Sequence, residues 1–395
     1  MNKILNYIAD RFVYWILKKI SKGYLNLIDV KGKNYFFGDS NSLLKTKIII
    51  NDPNFCLKIL RKGSSGLAES YINGDFETED LTSLIELSAK NINITYKFSG
   101  FFQFSLIQNF LKKNIFSNTK ERSKKNISLH YDLGNEFFSK WLDKTLTYSC
   151  GIFNSSNETL EKAQINKYNK LINMVKPRNG DRILEIGCGW GGFAEHIAKN
   201  YNIKLDCITI SKKQILFTKE RIRKAGLNNK VNVQMMDYRD VKKKYDIIIS
   251  IEMIEAVGEK YLDKYFHTIK ENLVLGGRGA IQAIIIKDEL YDRYRNKEDF
   301  IQKYIFPGGF LPSFKSLNKL SSKSGLKIDG YHLYGSHYSN TLQKWRESFL
   351  SSWDLISRQG FNLNFKKMWD FYFSYCDAGF KSKNIDLVQF SLCNK

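Results

Sequence analysis

The stretch ILEIGCGWGG, residues 183–192, decides the fold. Ile183 to Ile186 read as a buried strand, and Gly187, Gly189 and Gly192 match G-x-G-x-x-G letter for letter in the turn that follows. Glycines in a strand-to-helix turn let a ligand approach the backbone where side chains would collide with it. The pattern usually signals a dinucleotide, yet an acid, Glu185, stands two residues before Gly187.

Outward from this loop the chain alternates helix and strand. AQINKYNKLINMV precedes the strand RILEIG; GGFAEHIAKN, KLDCITI, KKQILFTKERIRKAGL, NVQMMD, YDIIISI, KYLDKYFHTIKENL and GGRGAIQAIII then follow in order. Strands separated by helices need crossover connections, so the class is α/β with a mainly parallel sheet covered on both faces. IDLVQFSL, residues 385–392, reads as a last strand returning to the sheet. Residues 287–325 break the rhythm and residues 340–381 are helical and rich in aromatics. Both are expected to form a helical cap over the carboxyl edge, where such sheets bind ligands. Residues 1–115 read as a smaller N-terminal domain, with strand-like KTKIIIND and helical EDLTSLIELSAK. The basic, polar run KKNIFSNTKERSKKN makes 116–128 a linker to a second domain over 129–395.

Three ligands compete for the glycine loop. A dinucleotide needs an acid about 20 residues on to bind ribose hydroxyls. The second strand ends Ile208-Thr209-Ile210-Ser211, with hydroxyls in that place. A kinase-type phosphate loop needs G-K-[ST], which does not follow. S-adenosylmethionine has no phosphate; it needs close backbone approach and an acid facing its ammonium, which Glu185 supplies. Asp237 and Tyr238 follow the third strand, where an acid and a flat ring could bracket adenine. The bland alternative, glycines serving only a tight turn, stays open at this point.

The net charge of +22, from 62 Lys and Arg against 40 Asp and Glu, draws the chain toward polyanions. Nucleic acid and an anionic membrane both qualify. No apolar run approaches the roughly 20 residues of a membrane span. The N-terminus instead places Ile4, Ile8, Phe12, Trp15, Ile16 and Leu17 at helical spacing beside Lys18, Lys19 and Lys22, a pattern suited to a membrane interface or to packing within its own domain. Six cysteines without a C-x-x-C pair point to a reducing cytoplasm and to no metal site.

Several motifs go further. HYDLGNEFFSKWLD (130–143), LTYSCGIF (146–153), LEIGCGWGG, ITIS with Gln214, DYRD (237–240), IEMIEAVG (251–258), QKYIFPGG (302–309) and CDAGF (376–380) resemble the cyclopropane-fatty-acyl-phospholipid synthase family, in order over about residues 64–392. The resemblance implies a class I methyltransferase fold, Rossmann-like with a seven-stranded sheet, and an N-terminal domain that binds lipid. It also implies transfer of a methyl or methylene group from S-adenosylmethionine to the cis double bond of a phospholipid acyl chain, through a carbocation. The implied cofactor contacts are Tyr148, Ser149, Glu185, Gly187, Gly189, Trp190, Gly191, Thr209, Ile210, Ser211, Gln214, Asp237, Tyr238 and Arg239. The implied proton acceptor is a bicarbonate ion held by the Cys150 backbone, Glu255, a histidine on the fifth strand, Ile284 and Tyr338. Here that histidine is replaced by Gln282, and Ala256 follows Glu255 where the synthases commonly carry histidine. The altered pocket keeps a cyclopropane and a methyl- or methylene-branched product both open. His130 and Cys376 fall in matching motifs and join the catalytic candidates. The implied partner is an anionic phospholipid bilayer bearing unsaturated chains, met by a cytoplasmic enzyme peripheral at the inner face, with a homodimer as the implied assembly. A nucleic-acid methyltransferase and a catalytically silent membrane-binding protein are the competing readings. The first is disfavoured, and no nucleic-acid partner is expected, because IEMIEAVG stands where amino-methylating DNA enzymes carry an N-P-P-type run.

Overall fold

The computed structural model describes residues 2–94, 118–131 and 133–395. The N-terminal part runs α1 (Asn2–Leu17), β1 (Tyr24–Ile28), β2 (Asn34–Gly38), β3 (Lys45–Ile50), α2 (Phe55–Asn73), β4 (Phe76–Glu77) and α3 (Leu81–Lys90). Its four strands lie in the order β2-β1-β3-β4, with β1 antiparallel to β2 and parallel to β3. Leu25, Leu27, Ile48 and Ile50 alternate onto one buried face, as a half-covered sheet requires. Asp80 starts α3 by accepting the Ser83 N–H, satisfying one of the donors a helix start leaves free.

The larger part contains α4 (Lys120–Tyr131), α5 (Asn135–Ser139), α6 (Leu160–Val175), β5 (Arg182–Ile186), α7 (Gly192–Asn200), β6 (Lys204–Thr209), α8 (Lys212–Lys224), β7 (Val231–Met235), β8 (Tyr245–Ile251), α9 (Leu262–Asn272) and β9 (Leu273–Ile286). It continues through α10 (Asp288–Tyr294), α11 (Phe314–Lys323), β10 (Leu326–Leu333), α12 (Gly335–Ser351), α13 (Trp353–Ser357), α14 (Leu363–Lys381) and β11 (Ile385–Asn394). The seven strands lie in the order β10-β11-β9-β8-β5-β6-β7. β7, β6, β5, β8 and β9 pair in parallel, and β11 runs antiparallel to both β9 and β10. Strands buried on both faces read as continuous apolar runs, which is what Ile247, Ile248 and Ile249 of β8 form. Crossing from β8 to β5 and β6, the order places the carboxyl ends of three neighbouring strands around one crevice.

Two expectations need correcting. Residues 116–128 are not a simple linker: residues 120–131 form α4, and Asn118 is buried, its amide donating to the carbonyls of Ala256 and Gly308. Six Lys and Arg residues stand between 112 and 125, which hid a helix that needs no wide apolar stripe. Residues 287–325 are also not wholly an inserted cap. α11 packs on α9 and β10 as the ordinary crossover helix leading to β10, an edge strand the sequence reading did not separate.

α12 and α14 build the cap, and its core is aromatic. Trp141, Trp345 and Trp369 are each at most 1 % exposed, with the Trp141 ring centroid 5.7 Å from Trp345 and 5.6 Å from Trp369. The N-terminal part docks on α14 through α2 and α3, where the Tyr71 hydroxyl donates to Asp370 at 2.6 Å and Arg346 donates to the same carboxylate.

Candidate active site

A cavity opens at the carboxyl edge of β5, β6 and β8. Glu185, Gly187, Gly189 and Trp190 line it from the glycine loop; Thr209, Ile210 and Gln214 from the end of β6 and start of α8. Asp237, Tyr238 and Arg239 close it beyond β7, and Tyr148 and Ser149 from the segment before α6. Gly189 adopts a left-handed backbone (φ 52°), and a side chain there would meet no atom of the described residues within 4 Å. Two expected contacts do not line it. Ser211 caps α8 by accepting the Gln214 N–H, and Gly191 starts α7 with its Cα hydrogen facing Thr218. Arg239 turns back onto Asp237 at 2.7 Å, so that carboxylate is already held by a guanidinium.

Glu185 is 2 % exposed and accepts the Cys207 thiol. Burial pushes its carboxyl up to about 7, against the opposing pull of Lys167. A buried acid that is costly to ionise alone becomes favourable beside a cation. The glycine cradle and the buried acid together fit S-adenosylmethionine, which when bound supplies an electrophilic methyl on a sulfonium.

Beyond this cradle stands a second carboxylate, Glu252, which also lines the cavity. It follows the last residue of β8 and takes a left-handed backbone (φ 48°), uncommon for a residue other than glycine, asparagine or aspartate. Its N–H donates to the Gln282 carbonyl at 2.9 Å, which holds that turn. Its Oε1 accepts from the Cys150 backbone N–H at 3.0 Å and the Gln282 amide at 2.7 Å. The Tyr338 hydroxyl donates to Oε2 at 2.6 Å. The Gln282 amide is oriented in turn by Gln389, whose Nε2 donates to Gln282 Oε1 at 2.8 Å across the β9–β11 ladder.

Three of the seven sequence-derived catalytic candidates are brought together, around a carboxylate that was not among them. Cys150, Gln282 and Tyr338 converge on Glu252, not on Glu255. Glu255 turns the other way: Ile284 N–H donates to its Oε1 at 2.5 Å, and its Oε2 is buried with no hydrogen-bond partner among the described residues. Burial and then the Glu252 charge push the Glu255 carboxyl up to about 8, which favours its protonated form. Cys376 lies on α14 beside Asp299 and Asp377, with its thiol pushed up by burial, and no hydrogen bond links it to the Glu252 cluster. His130 belongs to α4; its side chain lies outside the described residues.

A bound bicarbonate does not fit this arrangement. The Cys150 N–H, the Gln282 amide and the Tyr338 hydroxyl already serve one carboxylate. A second anion beside it would find no free donor among these three and would be repelled.

Sequence reading missed four lining or supporting residues. Glu252 sits inside the motif IEMIEAVG without being singled out. Ser123 and Ile127 of α4 line the cavity from within the basic, polar stretch between the two parts. Lys167 of α6 is fully buried and donates to Ser149 Oγ at 2.6 Å; only its place in a helical apolar pattern could have marked it as a charge turned inward. Among the described residues no group of three or more His, Cys, Asp or Glu could hold a metal.

The family model for mycolic acid cyclopropane synthetase matches residues 118–390. The tuberculostearic acid methyltransferase UfaA1 of Mycobacterium tuberculosis is 33 % identical over 343 residues, covering 85 % of this chain and 80 % of that protein. The cyclopropane-fatty-acyl-phospholipid synthase of Escherichia coli K12 is 33 % identical over 358 residues, 88 % of each. Among solved structures, the cyclopropane synthase MmaA2 from Mycobacterium tuberculosis is 26 % identical with a TM-score of 0.65, covering 68 % of this chain and 98 % of that one. Mycolic acid cyclopropane synthase CmaA1, solved with SAH and CTAB, is 26 % identical with a TM-score of 0.63 over the same shares.

Proposed function

We propose, for a chain that belongs to the mycolic acid cyclopropane synthetase family, that its acyl substrate is a phospholipid chain reached from an anionic bilayer surface. The enzyme is an S-adenosylmethionine-dependent methyltransferase that adds one carbon to unsaturated acyl chains. The observation that best supports the site assignment is one cavity lined both by the glycine cradle and by the Glu252 carboxylate. An alkene is a weak nucleophile with no acidic proton, so the protein's first task is alignment of sulfonium and double bond. Tyr148, which lines the cavity, stands 5.3 Å from Trp345 and 6.3 Å from Phe306 between ring centroids, and such faces stabilise a carbocation by cation–π attraction. The test is incubation of the purified protein with labelled S-adenosylmethionine and vesicles of monounsaturated phosphatidylglycerol. The expected product carries one added CH2; NMR of ring against exocyclic methylene protons assigns cyclopropane or branch. Label incorporated into RNA or DNA but not into lipid would overturn the reading.

Docking is assigned to α1. Ala9, Val13, Tyr14 and Leu17 turn toward the domain, whereas Ile4, Tyr7, Ile8 and Trp15 are 45–68 % exposed. Lys19 lies over the Trp15 ring at 4.2 Å, and Lys3 and Arg11 on the helix and Lys18 and Lys22 just beyond it are exposed. Exposed apolar residues rimmed by cations suit an interfacial helix, with attraction to anionic lipid adding to apolar burial. No helix among the described residues is long and apolar enough to cross a membrane. Ile4→Glu combined with Ile8→Glu is expected to weaken binding to anionic vesicles by about 10-fold or more, since each change removes buried apolar area and adds a repelled charge. Cosedimentation measures this, with S-adenosylmethionine affinity unchanged; equal vesicle binding by the variant would dismiss α1 as the anchor.

Glu185 gives the cofactor site a pH dependence. Its carboxyl must ionise to face a cationic ligand, and burial holds it near 7. Affinity for S-adenosylmethionine is therefore expected to rise with pH through about 7, by roughly 10-fold for each unit below that value. Calorimetric titrations between pH 6 and pH 8 measure the slope, and Glu185→Gln should flatten it. A slope that survives in Glu185→Gln would move the titration to another group.

A further inference from the structure

Glu252 is a carboxylate to which no matched motif gives a role, yet it has the best-satisfied position in the site. A backbone N–H, an amide and a phenol all point at its two oxygens. It stands at the end of β8 on a left-handed backbone, and strain of this kind persists where the surrounding structure over-determines it. The geometry points to Glu252 as the proton acceptor of the reaction, a carboxylate built into the chain at the seat that a dissociable bicarbonate was expected to take. The inference rests on the acyl-chain reading above.

A carboxylate and a bicarbonate present the same planar pair of oxygens, so one set of donors can serve either. Their difference is that a free ion must be captured from water, whereas a tethered one carries its own entropy cost within the fold. Residue 282 follows the same logic. A histidine can become a cation and so help to capture a free anion. Gln282 cannot, and a tethered anion does not need it to. The Gln389 amide occupies Gln282 Oε1, so only the Nε2 side is left to face Glu252. The counter-charge comes instead from Lys167, which is buried, donates to Ser149 Oγ and favours Glu252 in its ionised form. Glu255 is not placed for the role: it does not line the cavity, and the Ile284 N–H holds its Oε1 away from the donor cluster.

The step balances without another reactant. The alkene π pair forms a carbon–carbon bond to the methyl as the methyl–sulfur bond breaks, and that bonding pair stays on sulfur as S-adenosylhomocysteine. The second alkene carbon is left cationic. Glu252 then removes a proton from the added methyl, and the C–H pair closes the ring; removal after a hydride shift gives the methylene branch instead. In both outcomes the cation is discharged and Glu252 ends as the carboxylic acid, which returns its proton to water after product leaves.

The experiment has a turnover arm and a binding arm. In carbon-dioxide-depleted buffer, with vesicles of monounsaturated phosphatidylglycerol, the wild-type protein is expected to keep its turnover within 2-fold of that in added bicarbonate, and Glu252→Gln to lose about 1,000-fold in kcat, within the usual range for a removed general base. S-adenosylmethionine affinity of Glu252→Gln, measured by calorimetry, should stay within a few-fold. In the binding arm, 13C-labelled bicarbonate titrated into protein saturated with S-adenosylhomocysteine should give no bound resonance with wild type, and one with Glu252→Gly if that variant folds. A wild type whose turnover collapses without bicarbonate, or which binds the labelled ion, overturns the inference. So does a Glu252→Gln protein that keeps more than a tenth of kcat. Absence of any lipid product from wild type in both buffers would instead overturn the acyl-chain reading, and the binding arm still decides the seat of the anion.

Discussion

Gly191→Val is expected to raise the dissociation constant for S-adenosylmethionine by about 100-fold, with a stability loss on the order of 2–4 kcal/mol. Gly191 lies at φ 81°, and a Cβ there would come within 2.6 Å of Thr218 Cγ2. Thr218 cannot yield cheaply: it is fully buried, and its hydroxyl donates to the Gly189 carbonyl at 3.0 Å. Moving it releases the central residue of the cradle, although Gly191 itself does not line the cavity. The control is Gly180→Ala. Gly180 has a similar φ of 87° but no atom within 4 Å of an added Cβ, so it carries backbone strain without collision. That variant should lose on the order of 1 kcal/mol and bind the cofactor normally. Thermal unfolding and calorimetric titration of both proteins separate the two effects. Equal loss of affinity in both variants would mean that strain alone disturbs the loop and that Thr218 has no part in it.

The same contrast explains what was legible in the sequence. The glycine loop and its flanking strands could be read because they are local: β5, β6 and β8 are apolar runs bounded by turns, and their order follows from crossover rules. β10 was lost because it is an edge strand with only Leu326 buried, and LKIDGYHL carries no clear alternation. α4 was lost because its side of the cavity is made by Ser123 and Ile127 within a lysine-rich stretch. The centre of the site moved for a different reason. IEMIEAVG holds two glutamates three residues apart, and resemblance favours the second. Which of them enters the donor cluster is set by one left-handed residue at position 252, a backbone choice that side-chain letters do not encode. Lys167 shows the limit most clearly: its helix has the ordinary pattern of a packed surface helix, and nothing local says that one of its cations points at two buried acids.

Lys167→Met is expected to lower kcat at pH 7 by about 10- to 100-fold and to move the rising limb of the kcat–pH profile upward by roughly one to two units, the usual reach of an adjacent opposite charge. Each element packed around Glu252 contributes a group to that balance. Tyr338 comes from α12, Gln282 from β9, the Cys150 N–H and thiol from the segment before α6, Lys167 from α6, and Glu255 from the same turn. Burial raises the Glu252 carboxyl; the Tyr338 hydroxyl and then Lys167 are the largest opposing influences. Removing the cation leaves burial less opposed, so a smaller fraction of Glu252 is ionised at any given pH, and a base that is protonated cannot accept. Burial holds Lys167 itself down to about 8, so its charge is already costly, yet removing it alone leaves two buried acids uncompensated; a stability loss is therefore expected too, and thermal unfolding is followed in parallel so that kcat is referred to folded protein. The same value makes the test sharp. Above about pH 8 the wild-type Lys167 loses its proton, so the wild type and Lys167→Met should converge in kcat as pH rises, having differed most below it. Affinity for S-adenosylmethionine at pH 7 is expected to weaken as well, because Lys167 also favours the ionised form of Glu185 and its removal leaves burial of that acid less opposed. A variant whose kcat at saturating S-adenosylmethionine falls by the same factor at every pH would show Lys167 to be a packing residue and would detach it from the ionisation of Glu252.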